Sequence, residues 1–210
     1  MAKFVKKFLD GIFERNVKTR EVGRVDGITL IDVRKRGGCF KTTIESSLHL
    51  IQQHDPRRYA RVKRYISRIV NIITSDGYKG RYDLNARRVC LEFSEMSKLT
   101  HEDRAAIYAC VLIDNSTRGI LWRAQKRKPL TDYSKIENQV RIARIYVNEH
   151  NRFLEKLVEA DLLPFSTFKL FRLEFDEKHL PKTSGKKKNF LKILFSLIRR
   201  AATERKIEKK

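Results

Sequence analysis

The chain has little with which to carry out metal, nucleotide or acyl chemistry. Its three cysteines, Cys39, Cys90 and Cys110, are odd in number and widely spaced, with no Cys-x-x-Cys pair. That argues against a cysteine zinc site and fits reduced thiols in a cytoplasmic protein. There is no glycine-rich phosphate loop, since Gly37-Gly38 is not followed by Gly-Lys-Ser/Thr, so no nucleotide triphosphatase is implied. Ser46 and Ser47 lack a Gly-x-Ser-x-Gly context. No apolar stretch reaches eighteen residues, which excludes a membrane-spanning helix. The first fifteen residues, MAKFVKKFLDGIFER, alternate charge with bulky apolar groups and lack the continuous apolar region of a secretory signal. No internal repeat is present.

Acidic residues are also scarce relative to basic ones. Lys and Arg number 47 against 25 Asp and Glu, a formal net charge of +22. Such a surface draws polyanions: nucleic acid, anionic lipid or acidic protein. The attraction is long-ranged and salt-dependent, and it names no partner by itself. What the chain does have is core material. Of its 210 residues 41% are hydrophobic, with 12 Phe and 7 Tyr, enough for one folded domain with basic extensions.

Three segments are expected. Residues 1–20 hold a basic amphipathic helix, with Phe4, Phe8, Ile12 and Phe13 at helical spacing beside Lys3, Lys6 and Lys7. Residues 21–180 form the domain. Residues 181–210 are a basic linker and a second amphipathic helix, over about 189–207. Within the domain, Asp26-Gly27 between β-prone runs (21–25 and 28–35) predicts a hairpin. Thr42 or Thr43 is a candidate cap for a helix to about Gln53. Asp55-Pro56 opens another helix, expected to reach about Thr74. RVCLEF, at 88–93, alternates as a strand. Further helices are expected from about Thr100 to Trp122 and from Tyr133 to Ala160, and FKLFRLEF, 168–175, as a possible strand.

The run Ala105 to Ile113 is nine consecutive apolar residues, rich in Ala and free of Gly and Pro. It suits a helix buried on all sides. It leads directly into Asp114, Asn115, Ser116, Thr117 and Arg118. A buried helix carrying such a cluster needs partners for it or opens into a cleft. Asp114 and Arg118 have the i, i+4 spacing of the two histidines of His-Glu-x-x-His, but neither histidine nor the glutamate is present.

Three blocks, at 26–66, 108–120 and 141–157, carry a family likeness. They read DGITLIDVRKRGGCFKTTIESSLHLIQQHDPRRYARVKRYI, YACVLIDNSTRGI and RIARIYVNEHNRFLEKL. Together they resemble a group of largely uncharacterised bacterial zincin-like metallopeptidases with a His-Glu-Ala-Thr-His-Gly helix. The resemblance implies a helix-dominated α+β zincin-like domain with a small antiparallel sheet. Thr117 and Gly119 match the motif. Asp114 and Arg118 stand where its histidines would be, Asn115 where its glutamate base would be, and Glu149 near a glutamate that completes such sites from the next helix. Catalytic zinc wants three protein ligands and a water, and an always-protonated Arg118 would repel it. Asn115 cannot take a proton from a zinc-bound water. The resemblance therefore implies a degenerate, non-catalytic member with no metal and no cofactor. Two structural readings of the run stay open: an Asp114–Arg118 ion pair bracing the old cleft, or a helix that ends near Asp114.

Other candidates weigh against bland alternatives. His49, His54, His101, His150 and His179 are scattered, and a metal site from His49, His150 and Glu149 stands against ordinary hydrogen-bonded histidines. Arg57, Arg61, Arg64 and Arg68 lie in one stripe of the expected 56–74 helix, and residues 56–75 contain no acid. Stacked like charges weaken a helix, so the stripe faces acids elsewhere in the fold or a phosphate backbone. The tail from Lys182 holds eleven Lys or Arg, among them Lys186, Lys187, Lys188, Arg199 and Arg200, beside an apolar face of Phe and Leu. A basic amphipathic helix of that kind packs on its own domain, fits a partner's groove, or lies on anionic membrane. The functional expectation is a domain that binds an anionic partner. The alternatives are a nucleic-acid-binding protein using the Arg57–Arg68 stripe and the tail, peripheral membrane attachment through the terminal helices, and an enzyme with a rebuilt site, and a protein partner stays open.

Overall fold

The computed structural model describes residues 20–35, 38–74, 79–83, 85–93, 99–127, 136–175 and 198–200. The chain divides into two compact units, Met1–Gly119 and Ile120–Lys210. Residues 1–19 of the expected amino-terminal helix, the lysines at 182–188 and most of the expected 189–207 helix lie outside the described residues.

The first unit is a mixed sheet with helices. Strands β1 (Glu21–Val25) and β2 (Ile28–Asp32) form the expected hairpin, turning at Asp26 (φ 47°) and Gly27 (φ 84°). Left-handed backbone at both central residues gives the tight turn whose twist matches its strands. Helix α1 (Gly38–His54) follows. It begins four residues before Thr42, whose hydroxyl donates to Gly38 O at 2.9 Å, so Thr42 is bonded inside the helix rather than capping it. Helix α2 (Pro56–Tyr65) starts as its sequence dictates, with Asp55 accepting from Arg58 N at 3.0 Å and Pro56 in the first turn.

α2 then stops nine residues short of the expected Thr74. Ile66 is already extended (φ −111°, ψ 120°), and Arg68–Asn71 is strand β3. The segment Ile66–Ile73 is dense in β-branched side chains, which lose rotamer freedom in a helix and pack well on a pleated sheet. Strands β4 (Arg81–Asp83) and β5 (Arg88–Leu91) complete the sheet, in the order β1-β2-β3-β5-β4. The pairs β2–β3 and β3–β5 are parallel, while the edge strands β1 and β4 run antiparallel to their neighbours. The expected small antiparallel sheet is therefore mixed. The α1–α2 crossover between β2 and β3 supplies the long connection that a parallel pair needs.

Register explains the core. Leu30, Ile69 and Val89 pair across the three parallel strands and are fully buried. The next row, Ile31, Val70 and Cys90, points to the other face, where Ile31 and Val70 are also buried. Strands apolar on both faces are the mark of a parallel sheet. Beyond β5, Phe93 stacks on Tyr108 (centroids 5.3 Å apart) and meets the edge of Phe40 of α1 (5.6 Å). Tyr108 belongs to helix α3 (His101–Arg127). Thr100 Oγ1 accepts from Asp103 N at 3.1 Å and caps its start. Every residue from Ala105 to Ile113 is buried, as the unbroken apolar run requires. At roughly 1.5–3 kcal/mol for each large apolar side chain, these residues dominate the stability of the unit.

The second unit, described by itself, holds the last turns of α3, helix α4 (Ile136–Glu159), helix α5 (Phe165–Phe171) and strands β6 (Leu173–Phe175) and β7 (Ile198–Arg200). β6 and β7 pair antiparallel. The strand expected over 168–175 is confined to its last three residues, and Arg199 and Arg200 lie in a strand rather than in the expected helix. Asn151 of α4 holds β6 as a strand neighbour would: its Nδ2 donates to Leu173 O at 2.8 Å and its Oδ1 accepts from Leu173 N at 2.9 Å. Among the described residues the architecture is α+β and helix-dominated.

Candidate functional site

The polar run of α3 lies in mid-helix. α3 continues to Arg127, so the helix does not end near Asp114 and these side chains are not capping a turn. They are used in two ways. Some turn back on their own helix: Ser116 Oγ and Thr117 Oγ1 donate to Ile113 O at 2.7 and 2.9 Å, and Asn115 Nδ2 donates to Val111 O at 2.8 Å. Such bonds let hydroxyl and amide groups sit buried in a helix. Others reach the segment before β4. Asn115 Nδ2 also donates to Lys79 O at 3.1 Å, and Arg118 Nη1 to Gly80 O at 3.2 Å. Asn115 Oδ1 is buried and has no hydrogen-bond partner among the described residues.

The surroundings of this run are built for close approach. A Cβ on Gly119 would lie 2.8 Å from Tyr65 Cδ1, so only glycine lets α3 meet the end of α2. Gly80 has φ +69° and stands against Leu91 and Val89. One turn earlier, Cys110 is fully buried, and burial pushes its thiol well above the ordinary range. The Asp114 carboxylate adds to that rise and the Arg58 guanidinium opposes it. A thiol held protonated is a poor nucleophile and a poor metal ligand.

Glu149 lies on α4 in the second unit. The neighbouring His150 places Nε2 3.0 Å from Phe171 O. His49 is exposed on α1, and His101 Nε2 lies 3.1 Å from Ser46 Oγ. Among the described residues no three His, Cys, Asp or Glu side chains converge as a metal site would require.

The expected arginine stripe is divided. Arg57 and Arg64 are exposed on α2, Arg61 is half-buried there, and Arg68 begins β3. With the helix ended at Tyr65, the fourth member belongs to another neighbourhood. Register pairs Arg68 with Arg88 at the start of β5. Arg87 donates from Nη2 to Lys63 O (3.2 Å) and Arg64 O (2.6 Å), carbonyls in the last turn of α2. Arg81, exposed on β4, pairs with Cys90 and so shares a sheet face with Arg88. Cys90 feels these charges: burial raises its thiol, Arg88 and Arg81 lower it, and Asp83 raises it. Helical periodicity does not single out Arg81, Arg87 or Arg88. The adjacent Arg87-Arg88 pair opening a β-prone run was the available signal, but its grouping with α2 depends on the sheet.

Asp26, in the β1–β2 turn at the same end, accepts from Tyr59 Oη at 2.8 Å and Lys63 Nζ at 3.4 Å. The Tyr59 hydroxyl, then Lys63, hold its carboxyl below the usual range. Burial and that hydrogen bond raise the Tyr59 phenol above the ordinary tyrosine range. Comparisons with protein-family models, curated proteins and solved structures return no match for this chain.

Proposed function

We propose that the chain is a non-catalytic binding protein for an anionic partner. In this reading it is a zincin-like domain in which the ligands and base of the resembling family are replaced. One observation supports it best. Arg118, at the second histidine position, donates to the Gly80 carbonyl, and Asn115, at the base position, donates to Lys79 O and Val111 O. Both side chains brace the loop before β4 against α3. A guanidinium at that place disfavours a divalent cation, and an amide cannot act as general base. The formal charge of +22 sets the class of partner.

The test is binding of the full chain to three polyanions over a salt series: duplex DNA, inorganic polyphosphate and anionic vesicles. Binding to at least one, falling steeply as salt rises, is the expected result. Failure to bind any of them at low salt overturns the reading, as does stoichiometric zinc with chelator-sensitive peptide hydrolysis.

A second reading, peripheral membrane attachment, is favoured by one feature of the second unit. Leu162, Phe165 and Leu170 are exposed around α5, and Lys169 Nζ sits 4.6 Å from the Phe165 ring. Exposed apolar groups beside cations suit the boundary of an anionic bilayer. Flotation with anionic vesicles that is lost in Phe165→Ser/Leu170→Ser supports it. Flotation that persists in that variant refutes this attachment site.

A further inference from the structure

We infer that the amino-terminal end of the parallel strands, where Lys63, Arg64, Arg68, Arg87 and Arg88 gather, is a docking surface for the phosphate backbone of double-stranded nucleic acid. The inference rests on reading the chain as an anion-binding protein and assigns the surface and the partner.

Three elements bring these cations together. α2 ends in Lys63 and Arg64, and the chain enters β3 at Arg68. β5 begins beside it with Arg88 in register, about 4.8 Å away as neighbouring strands are. The turn before β5 is fastened to the link between α2 and β3 by Ser67 N donating to Arg87 O at 2.7 Å, and to α2 itself by the Arg87 guanidinium on the helix carbonyls. That second contact matters electrostatically. The carboxyl end of a helix carries partial negative charge and repels phosphate. Arg87 covers it with a fixed cation. Lys63, Arg64 and Arg87 are exposed, and Arg68 and Arg88 are half-buried. Two carboxylates are drawn into the group: Asp26 with Lys63 (3.4 Å) and Asp83 with Arg88 (3.0 Å). A net positive cluster held on rigid elements is the electrostatic footprint of a polyanion site.

The choice among polyanions follows from what surrounds the cations. A membrane surface site gains from apolar side chains that enter the lipid. In the first unit the one large hydrophobic residue that is strongly exposed among the described residues is Ile73, just beyond the opposite end of β3. A single-strand site gains from aromatic rings on which bases stack. The tyrosines here are turned inward: Tyr59 Oη donates to Asp26, Tyr82 Oη to Tyr65 O at 2.7 Å, and the Tyr65 ring lies against Gly119. What remains is guanidinium and ammonium groups on a rigid frame, which suits phosphate contacts along a duplex without base reading.

The experiment measures binding of the full chain to a fluorescent mixed-sequence duplex, a single strand of equal length and anionic vesicles over a salt series. The wild type is compared with Lys63→Gln/Arg64→Gln and with a second-unit control, Arg152→Gln/Lys169→Gln. The first variant should lower duplex affinity roughly 10-fold or more at low salt and reduce the slope of log K on log salt by about 2, close to one per lost phosphate contact. The control should leave the slope unchanged, and the duplex should bind more tightly than the single strand. An unchanged slope in the first variant, an equal loss in the control, or vesicle binding without duplex binding overturns this inference and leaves the anionic-partner reading standing. No binding to any polyanion by the wild type removes both. A readout that does not depend on a variant folding is acylation of wild-type Lys63. Protection by duplex supports the surface, and full reactivity in saturating duplex refutes it.

Discussion

The two ends of the parallel strands use polar residues in opposite ways. At the carboxyl end, where open α/β sheets often place ligands, the groups are spent on one another. Asn71 Nδ2 donates to Asp32 Oδ1 at 2.7 Å, and Asn71 Oδ1 accepts from Phe93 N at 2.9 Å. Asp32 and Asn71 are buried, and Arg34 pairs with Glu92 at 2.8 Å. At the amino end the same strands begin with Arg68 and Arg88, flanked by exposed Lys63, Arg64 and Arg87. The carboxyl end is thus a polar lock on register, and the amino end a charged surface. A polar cluster in a promising place is not a site when each group already completes another.

The sharpest way to break this contrast is at Asn71. Asn71→Leu takes a donor from the buried Asp32 carboxylate and the acceptor from Phe93 N. Leaving buried polar groups so exposed to low dielectric costs about 3–5 kcal/mol. Urea unfolding should show that loss, while the salt slope of duplex binding measured on the folded fraction stays unchanged. A loss below about 1 kcal/mol would mean that the network is not holding the strands. The next effect is at Gly119. Glycine to alanine in an open helix gains about 1 kcal/mol. Here the new Cβ would meet Tyr65 at 2.8 Å, so Gly119→Ala should instead lose about 1–3 kcal/mol. A gain in Tm would show that α3 can move away from α2.

Much of the frame was legible in the sequence because local chemistry decides it. Asp26-Gly27 made its turn, Asp55-Pro56 its helix start, and Ala105–Ile113 its buried helix. The errors came where an apolar spacing fits two periods. Tyr59, Val62, Ile66, Ile69 and Ile73 fit one helical stripe, yet the last three lie in and around a strand. Pairing with β2 and β5 outweighed the weak helical preference of β-branched residues. That one error moved Arg68 out of the arginine stripe and hid its neighbours Arg87 and Arg88. The parallel direction of the strands was hidden for the same reason, since it follows from where α2 stops. In the α3 run, spacing allowed a cap, which the continuation of the helix to Arg127 excludes. The bonds to Ile113 O, Val111 O, Lys79 O and Gly80 O depend on backbone geometry and on a distant loop.

The smallest effects are expected where the fold and the charged surface meet, at Tyr59 and Asp26. Tyr59→Phe removes one hydrogen bond and should cost about 1 kcal/mol. Its phenol is raised in the folded state, so its contribution is whole below the unfolded tyrosine value, near 10, and is lost as the pH rises beyond it. Asp26 behaves in the opposite sense. Its carboxyl is lowered in the folded state, so its contribution is whole above about pH 4 and lost as the pH falls toward the folded value. Tyr59→Phe should therefore flatten the alkaline limb of the urea midpoint against pH and shrink the acid limb as well. Asp26→Asn should remove its share of the acid limb. It should also do something no substitution at the carboxyl end does. Removing the carboxylate beside Lys63 raises the local positive charge, so duplex binding should tighten modestly while the folded state weakens. Binding and stability moving in opposite directions would mark this end as a surface tuned for a partner. If both fall together, Lys63 owes its position to Asp26, and this carboxylate is part of the frame that presents the cations.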